Sequence, residues 1–206
     1  MKKLTFLAAA LLMCSSIITT KLSAQPAAAN TNEINKNKIE KVTKDDPKDQ
    51  NFMDRYFGFK DSYPALKSLS GSYAAASCTK QKFVERYNAI KAAYPNLRNS
   101  FDNYAASDYA LEIFAKRYYE IKDTYPTMSK YFGDYAGSKK TLPEFIMRYN
   151  EIKDSAKDLT EYYGQYAASD NTLPEFSARY YGIKDSKTGM EYGYGEYAGS
   201  TKKLSK

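Results

Sequence analysis

"TLPEFIMRYNEIKDSAKDLTEYYGQYAASDN" fills residues 141–171, and "TLPEFSARYYGIKDS" restarts the same text at 172. The period is 31 residues. It holds without insertion or deletion for Arg55, Arg86, Arg117, Arg148 and Arg179, for Phe52, Phe83, Phe114, Phe145 and Phe176, and for Tyr73, Tyr104, Tyr135, Tyr166 and Tyr197. A fixed period of roughly 20 to 50 residues marks a stacked architecture, because one such unit cannot bury its own apolar face and its neighbours complete the core. Five copies, at about 51–81, 82–112, 113–143, 144–174 and 175–206, make one array.

Within a copy, Phe145, Tyr149 and Ile152 fall at i, i+4 and i+7, one stripe of an α-helix. Thr141 and Glu144 form a capping box, and Pro143 sits in the first turn, where its missing N–H costs nothing; Thr172, Pro174 and Glu175 repeat the signal. Leu159, Tyr163 and Tyr166 predict a second helix of the same spacing, matched by Met128, Phe132 and Tyr135, and Pro64, Pro95 and Pro126 stand at its start. The unit therefore reads as an antiparallel helical hairpin and the whole as an all-α, short α-solenoid of five repeats. This is similar in kind to tetratricopeptide-type solenoids, although the period of about 34 residues and the W-x2-L-G-x2-Y pattern are absent.

A repeat of one helix plus a β-hairpin is the alternative. The 21 tyrosines and the glycines at 71, 133, 164 and 195 suit strands and turns, and "EYGYGEYAGS" at 191–200 is a poor helix. That glycine column also holds Asp102, however, so it does not demand a left-handed backbone. A small residue for close helix packing is the better explanation.

Before the array, residues 1–24 read as a signal peptide: Lys2 and Lys3, the apolar run "LTFLAAALLMC", then "LSA" before Gln25. Leu4 to Ile18 is shorter than the roughly 20 apolar residues of a spanning helix. A lipoprotein signal through Cys14 is the minor alternative, since Met13 stands where a small residue is usual. Residues 25–50 carry no aromatic and balanced charges, a flexible polar spacer. Cleavage would lower the formal charge from +7 to +4 by removing Lys2, Lys3 and Lys21, too weak a bias for nucleic acid, and would leave Cys78 without a disulfide partner.

The chain has no histidine, which closes Ser-His-Asp and Cys-His catalysis and histidine-ligated zinc. A carboxylate hydrolase stays formally open, but it needs one unusual site in which two carboxyl groups ionise unequally, whereas these acids recur in every copy. No phosphate loop or calcium loop is present, and no cofactor is expected. Cys78 aligns with Tyr109, Lys140, Asn171 and Lys202, so the repeat does not call for a thiol there.

Two ladders flank the buried stripe: Arg55, Arg86, Arg117, Arg148 and Arg179 on one side, Lys60, Lys91, Lys122, Lys153 and Lys184 on the other. They read either as cations for an acidic partner or, preferably, as stems packed along the hairpin, stacked on tyrosine and paired with Glu85, Glu120 or Glu151. Phe57, Asn88, Tyr119, Asn150 and Tyr181 lie about 140° from the Phe stripe at 100° per residue, and with Tyr131 and Tyr162 they form the candidate binding surface. Copies at 83 and 145 share "RYN" while those at 114 and 176 share "RYY", a doubled pair that sequence drift explains equally well.

The function expected is that of an exported, non-enzymatic repeat protein, periplasmic, outer-membrane-associated or secreted by a Gram-negative-like system, presenting an extended surface to a protein, peptide or glycan. A histidine-independent carboxylate hydrolase is the first alternative. A self-associating coat is the second, because the chain stops at "TKKLSK", where Leu204 aligns with Leu173 and no polar capping repeat follows.

Overall fold

The structure is a computed structural model, and it describes residues 51–205. The expected signal peptide, Cys14 and the spacer lie outside the described residues. Ten α-helices pack in five pairs, and no strand occurs among the described residues. The long members are α1 (Phe52–Ser62), α3 (Lys80–Ala93), α5 (Leu111–Thr124), α7 (Leu142–Ser155) and α9 (Leu173–Ser186). The short members are α2 (Ser70–Ala75), α4 (Phe101–Ala106), α6 (Phe132–Gly137), α8 (Tyr163–Ala168) and α10 (Tyr194–Gly199). None of these helices is long and apolar enough to cross a membrane.

Four of the five long helices begin at a side-chain cap, while α5 starts after Ala110 without one. Asn51 and Thr79 accept from the backbone N–H three residues on, at 2.9 and 3.3 Å. Thr141 and Thr172 each form a full capping box with Glu144 and Glu175, and those hydrogen bonds hold both carboxyl groups below their ordinary range. Helices α1, α3 and α5 stop at Tyr63, Tyr94 and Tyr125, each before a proline that disfavours the helical conformation in the residue preceding it. Ala156 adopts the same φ −139°, ψ 68° with Lys157 in place of proline, so packing can impose the break unaided.

The second half of the unit departs from the expected single helix. Residues Pro64–Leu69, Pro95–Ser100, Pro126–Tyr131 and Lys157–Tyr162 form 3-10 turns, and only then does the short α-helix begin. The kink falls at Leu66, Leu97, Met128 and Leu159; Leu159, for instance, has φ −96° and ψ 23°. Leu159, Tyr163 and Tyr166 are nevertheless all buried, because a 3-10 turn followed by an α-turn still brings them to one side. In the last copy this turn is replaced by residues 187–193, with Gly189 at φ 80°, and Met190 fills the buried position.

The short helices pack α2 on α4, α4 on α6, α6 on α8, α8 on α10, and α10 back on α2. The array is closed. At every joint a tyrosine of one unit meets the phenylalanine of the next edge-on: Tyr73–Phe83, Tyr104–Phe114, Tyr135–Phe145 and Tyr166–Phe176 have centroids 5.3–5.6 Å apart. Tyr197 makes the same contact with Phe52, at 5.2 Å, across the seam between last unit and first. There the backbone N–H groups of Phe52 and Met53 donate to the carbonyls of Lys203 and Leu204, at 2.9 and 3.2 Å, satisfying donors that a helix start leaves open. The uncapped apolar end expected at Leu204 is thus corrected: Leu204 packs on the cluster of Phe52, Tyr56, Ala74, Ile183 and Met190.

The glycine column does set the approach of these short helices. A Cβ at Gly164 would run into the Asp134 carboxylate and lie 2.8 Å from the Tyr131 ring, whereas one at Gly182, on the outside of α9, would meet nothing. Gly164→Ala is therefore expected to destabilise by about 1–3 kcal/mol through overpacking. Gly182→Ala should be neutral or stabilising by roughly 0.5–1 kcal/mol, as in any helix interior. Urea titration of the two variants checks the contrast, and equal effects would mean that the column does not control packing.

Candidate functional site

The arginine ladder is consumed by the fold. Arg117 donates through Nε to the carbonyl of Ala136 at 3.2 Å, and through Nη2 to the carbonyls of Tyr135, Ser138 and Lys140 at 2.9, 3.0 and 2.7 Å. Its guanidinium also lies 4.2 Å over the Tyr135 ring. Arg55, Arg86, Arg148 and Arg179 are each stacked at 4.0–4.2 Å on the tyrosine of its own short helix and donate to carbonyls at its end, with a serine hydroxyl replacing one carbonyl for Arg86, Arg148 and Arg179. A fixed fork of donors thus gathers the C-terminal carbonyls of the short helix, the end whose dipole favours a cation. Arg55 is only 1% exposed.

Among the described residues no salt bridge joins the arginine column to Glu85, Glu120 or Glu151. Glu120 and Glu151 instead accept from the hydroxyls of Tyr135 and Tyr166, at 2.6 and 2.5 Å, and together with burial this pushes both phenols up. The lysine ladder lies outside: Lys60, Lys122, Lys153 and Lys184 sit 5.5–6.0 Å over neighbouring aromatic rings, and Lys91 is exposed. The backbone carbonyl of Cys78 accepts from Arg55 at 2.8 Å, and those of its counterparts serve the other four arginines. The Cys78 thiol is pushed up by burial, the opposite of an activated nucleophile.

Of the candidate binding residues, Asn88, Asn150 and Tyr181 are exposed, Tyr181 at 37%, while Phe57 and Tyr119 are half-buried. Tyr119 accepts from Asn96 Nδ2 at 2.8 Å and Tyr181 donates to Asp158, so both bridge to the 3-10 turn of the preceding unit. Tyr131 is buried, 8% exposed, and donates to the Thr160 carbonyl at 3.1 Å; Tyr162 packs on Tyr180 with centroids 4.7 Å apart. These two seal joints between units and do not face outward, since the kink at the 3-10 turn rotates them inward from where a continuous helix would aim them. Two large apolar side chains that periodicity did not single out remain exposed on long helices: Ile113 on α5 at 47% and Met147 on α7 at 65%.

The closed ring encloses a channel that no open stack would have. Each short helix contributes one polar side chain from a single column of the repeat: Ser72, Asn103, Asp134, Gln165 and Glu196. Asp102 joins them from the glycine column. Ser72 Oγ donates to Asp102 at 2.9 Å, and Asn103 Nδ2 donates to Asp134 at 3.1 Å. Desolvation pushes Asp134 up to about 8, helped by the charges of Asp102 and Glu196; it pushes Glu196 up to about 7, and raises Asp102. The signal was present in the sequence as a column polar in all five copies, one residue after the small-residue column, but only closure gives those residues a common interior.

No match to the chain emerges among protein-family models, curated proteins or solved structures.

Proposed function

We propose that the chain is an exported, non-enzymatic closed solenoid of five 31-residue units whose outer helices bind a protein, peptide or glycan outside the cytoplasm. The export part rests on residues 1–24, and the spacer at 25–50 would separate the ring from the cleaved end. The binding part rests chiefly on one observation: Ile113 and Met147 stay exposed on neighbouring units, although the arginine column and most tyrosines of the array are engaged in packing. Asn88, Asn150 and Tyr181 add polar contacts on the same set of outer helices. Rigid helices that present isolated apolar anchors among polar groups are the usual makings of a recognition face.

The hydrolase alternative would use the channel carboxyl groups. It is disfavoured because all three are shifted in the same direction, whereas an acid–base pair needs one group held neutral and another kept ionised. The coat alternative loses its motive with Leu204 packed at the seam.

The test is capture from envelope and extracellular material by the mature chain, beside a variant carrying Ile113→Glu and Met147→Glu, followed by binding measurements with each purified partner. A partner bound by the parent and weakened at least tenfold in the variant, with helical circular dichroism unchanged, supports the reading. Equal binding by both proteins moves the face away from these helices, and no partner for either would sink the proposal.

A further inference from the structure

The axis of the ring brings together carboxyl groups against which the described residues set little compensating positive charge. Asp102 on α4, Asp134 on α6 and Glu196 on α10 all line one section of the channel, about 250 Å3 in volume. Of the other short helices, α2 adds the Ser72 hydroxyl and α8 the Gln165 amide. The 3-10 turns add Asn99 and Lys130 at its edge. Lys130 bears on Asp134 but is bonded to Glu161 at 2.7 Å, and both members of that pair are largely exposed. Tyr56, Tyr131 and Tyr162 also feel the carboxylates, and desolvation by burial is the main reason their phenols are raised and stay neutral. Glu196 is held by its own backbone N–H, and Gln165 Oε1 is buried with no hydrogen-bond partner among the described residues.

Full ionisation would therefore set three negative charges around one narrow axis, and among the described residues the cation lining it is Lys130, which Glu161 shares. The repulsion would act on the five joints of the ring. Four of these are spanned by continuous chain, while the seam between α10 and α2 is held by non-covalent contacts and the tail at Lys203 and Leu204. The geometry points to a proton-operated clasp, in which protonated Asp102, Asp134 and Glu196 keep the ring shut and their ionisation loosens the seam.

The sign follows from linkage. Each carboxyl group binds its proton more tightly in the closed ring than in the unfolded chain, so the folded state holds more protons between the two values. The contribution is fully present below the unfolded values of 3.8 and 4.5, and it is lost as pH rises through about 7 for Glu196 and about 8 for Asp134. The ring should be firmest in mild acid and weakest in mild alkali.

Thermal unfolding and hydrogen exchange of the full chain at pH 5, 7 and 8.5 test this, beside a variant carrying Asp134→Asn and Glu196→Gln. The expected result is a midpoint that falls by several degrees from pH 5 to 8.5, with exchange rising first in residues 52–59 and 194–199, and a much flatter profile in the variant. A parent midpoint that is level or rises towards pH 8.5 would overturn the clasp, as would a variant that keeps the parent's slope. Should the double variant not fold, infrared detection of protonated carboxyl groups in the parent decides: a band present at pH 6 and lost by pH 9 supports the clasp, and its absence at pH 6 refutes it.

Discussion

Arg117→Ala should lower stability by about 3–5 kcal/mol, among the larger effects available to a single substitution in this chain. The guanidinium serves four backbone carbonyls at the C-terminal end of α6 and in the loop after it, and it stacks on Tyr135. A hydrogen bond to a charged donor is worth roughly 1.5–3 kcal/mol net, but three of these four share the two hydrogens of Nη2, so they do not add in full. For a chain of this size the unfolding midpoint should fall by roughly 10 °C. Arg117→Lys should recover little, because an ammonium is a point charge and cannot reproduce the fixed fork of donors. Lys153→Ala, on the exposed ladder, should change the midpoint negligibly. An Arg117→Ala variant within about 2 °C of the parent would show that the arginine column is not what ties the two halves of each unit together.

Deleting residues 201–206 should have the next largest effect, and one of a different kind. The deletion removes the carbonyl acceptors for the N–H groups of Phe52 and Met53, the Lys202 carbonyl that Arg179 holds at 2.7 Å, and the Leu204 side chain from the seam cluster. At roughly 1 kcal/mol for each of the two neutral hydrogen bonds and about 1.5 for the charged one, plus the partial burial of a leucine, the loss should come to about 4 kcal/mol. Because it is confined to one joint, it should open the ring before it unfolds the units. Amide exchange should then rise in α1 and α10 while α5 and α7 stay protected. The bared faces of Phe52, Tyr56 and Met190 should also drive concentration-dependent association, read by light scattering. A truncated chain that stays monomeric and keeps its protection would mean that the Tyr197–Phe52 contact closes the ring without the tail.

Much of this architecture is legible in the letters. The 31-residue period, the Phe145–Tyr149–Ile152 stripe and the Thr-x-x-Glu caps are local or nearly local, and local hydrogen bonds and one-sided burial are enough to make them helices. The structural use of the arginine column was readable from its constant distance to the buried stripe, although the hydrogen-bond partners it finds among the described residues are mainly carbonyls. The aim of Tyr131 and Tyr162 was not readable. Their direction depends on a 3-10 turn that replaces the expected start of the second helix, and at Ala156 that break occurs with no proline to mark it.

The sequence by itself determined the repeat length, the helical pairing within each unit and the absence of histidine chemistry, because these follow from residue identity and from contacts a few positions apart. The tertiary structure alone decided that five units close into a ring. Closure depends on the small rotation from each unit to the next, summed five times, and no single copy records that sum. It also decided what closure makes: an interior that gathers Asp102, Asp134 and Glu196, and a last unit whose Tyr197 finds the Phe52 of the first.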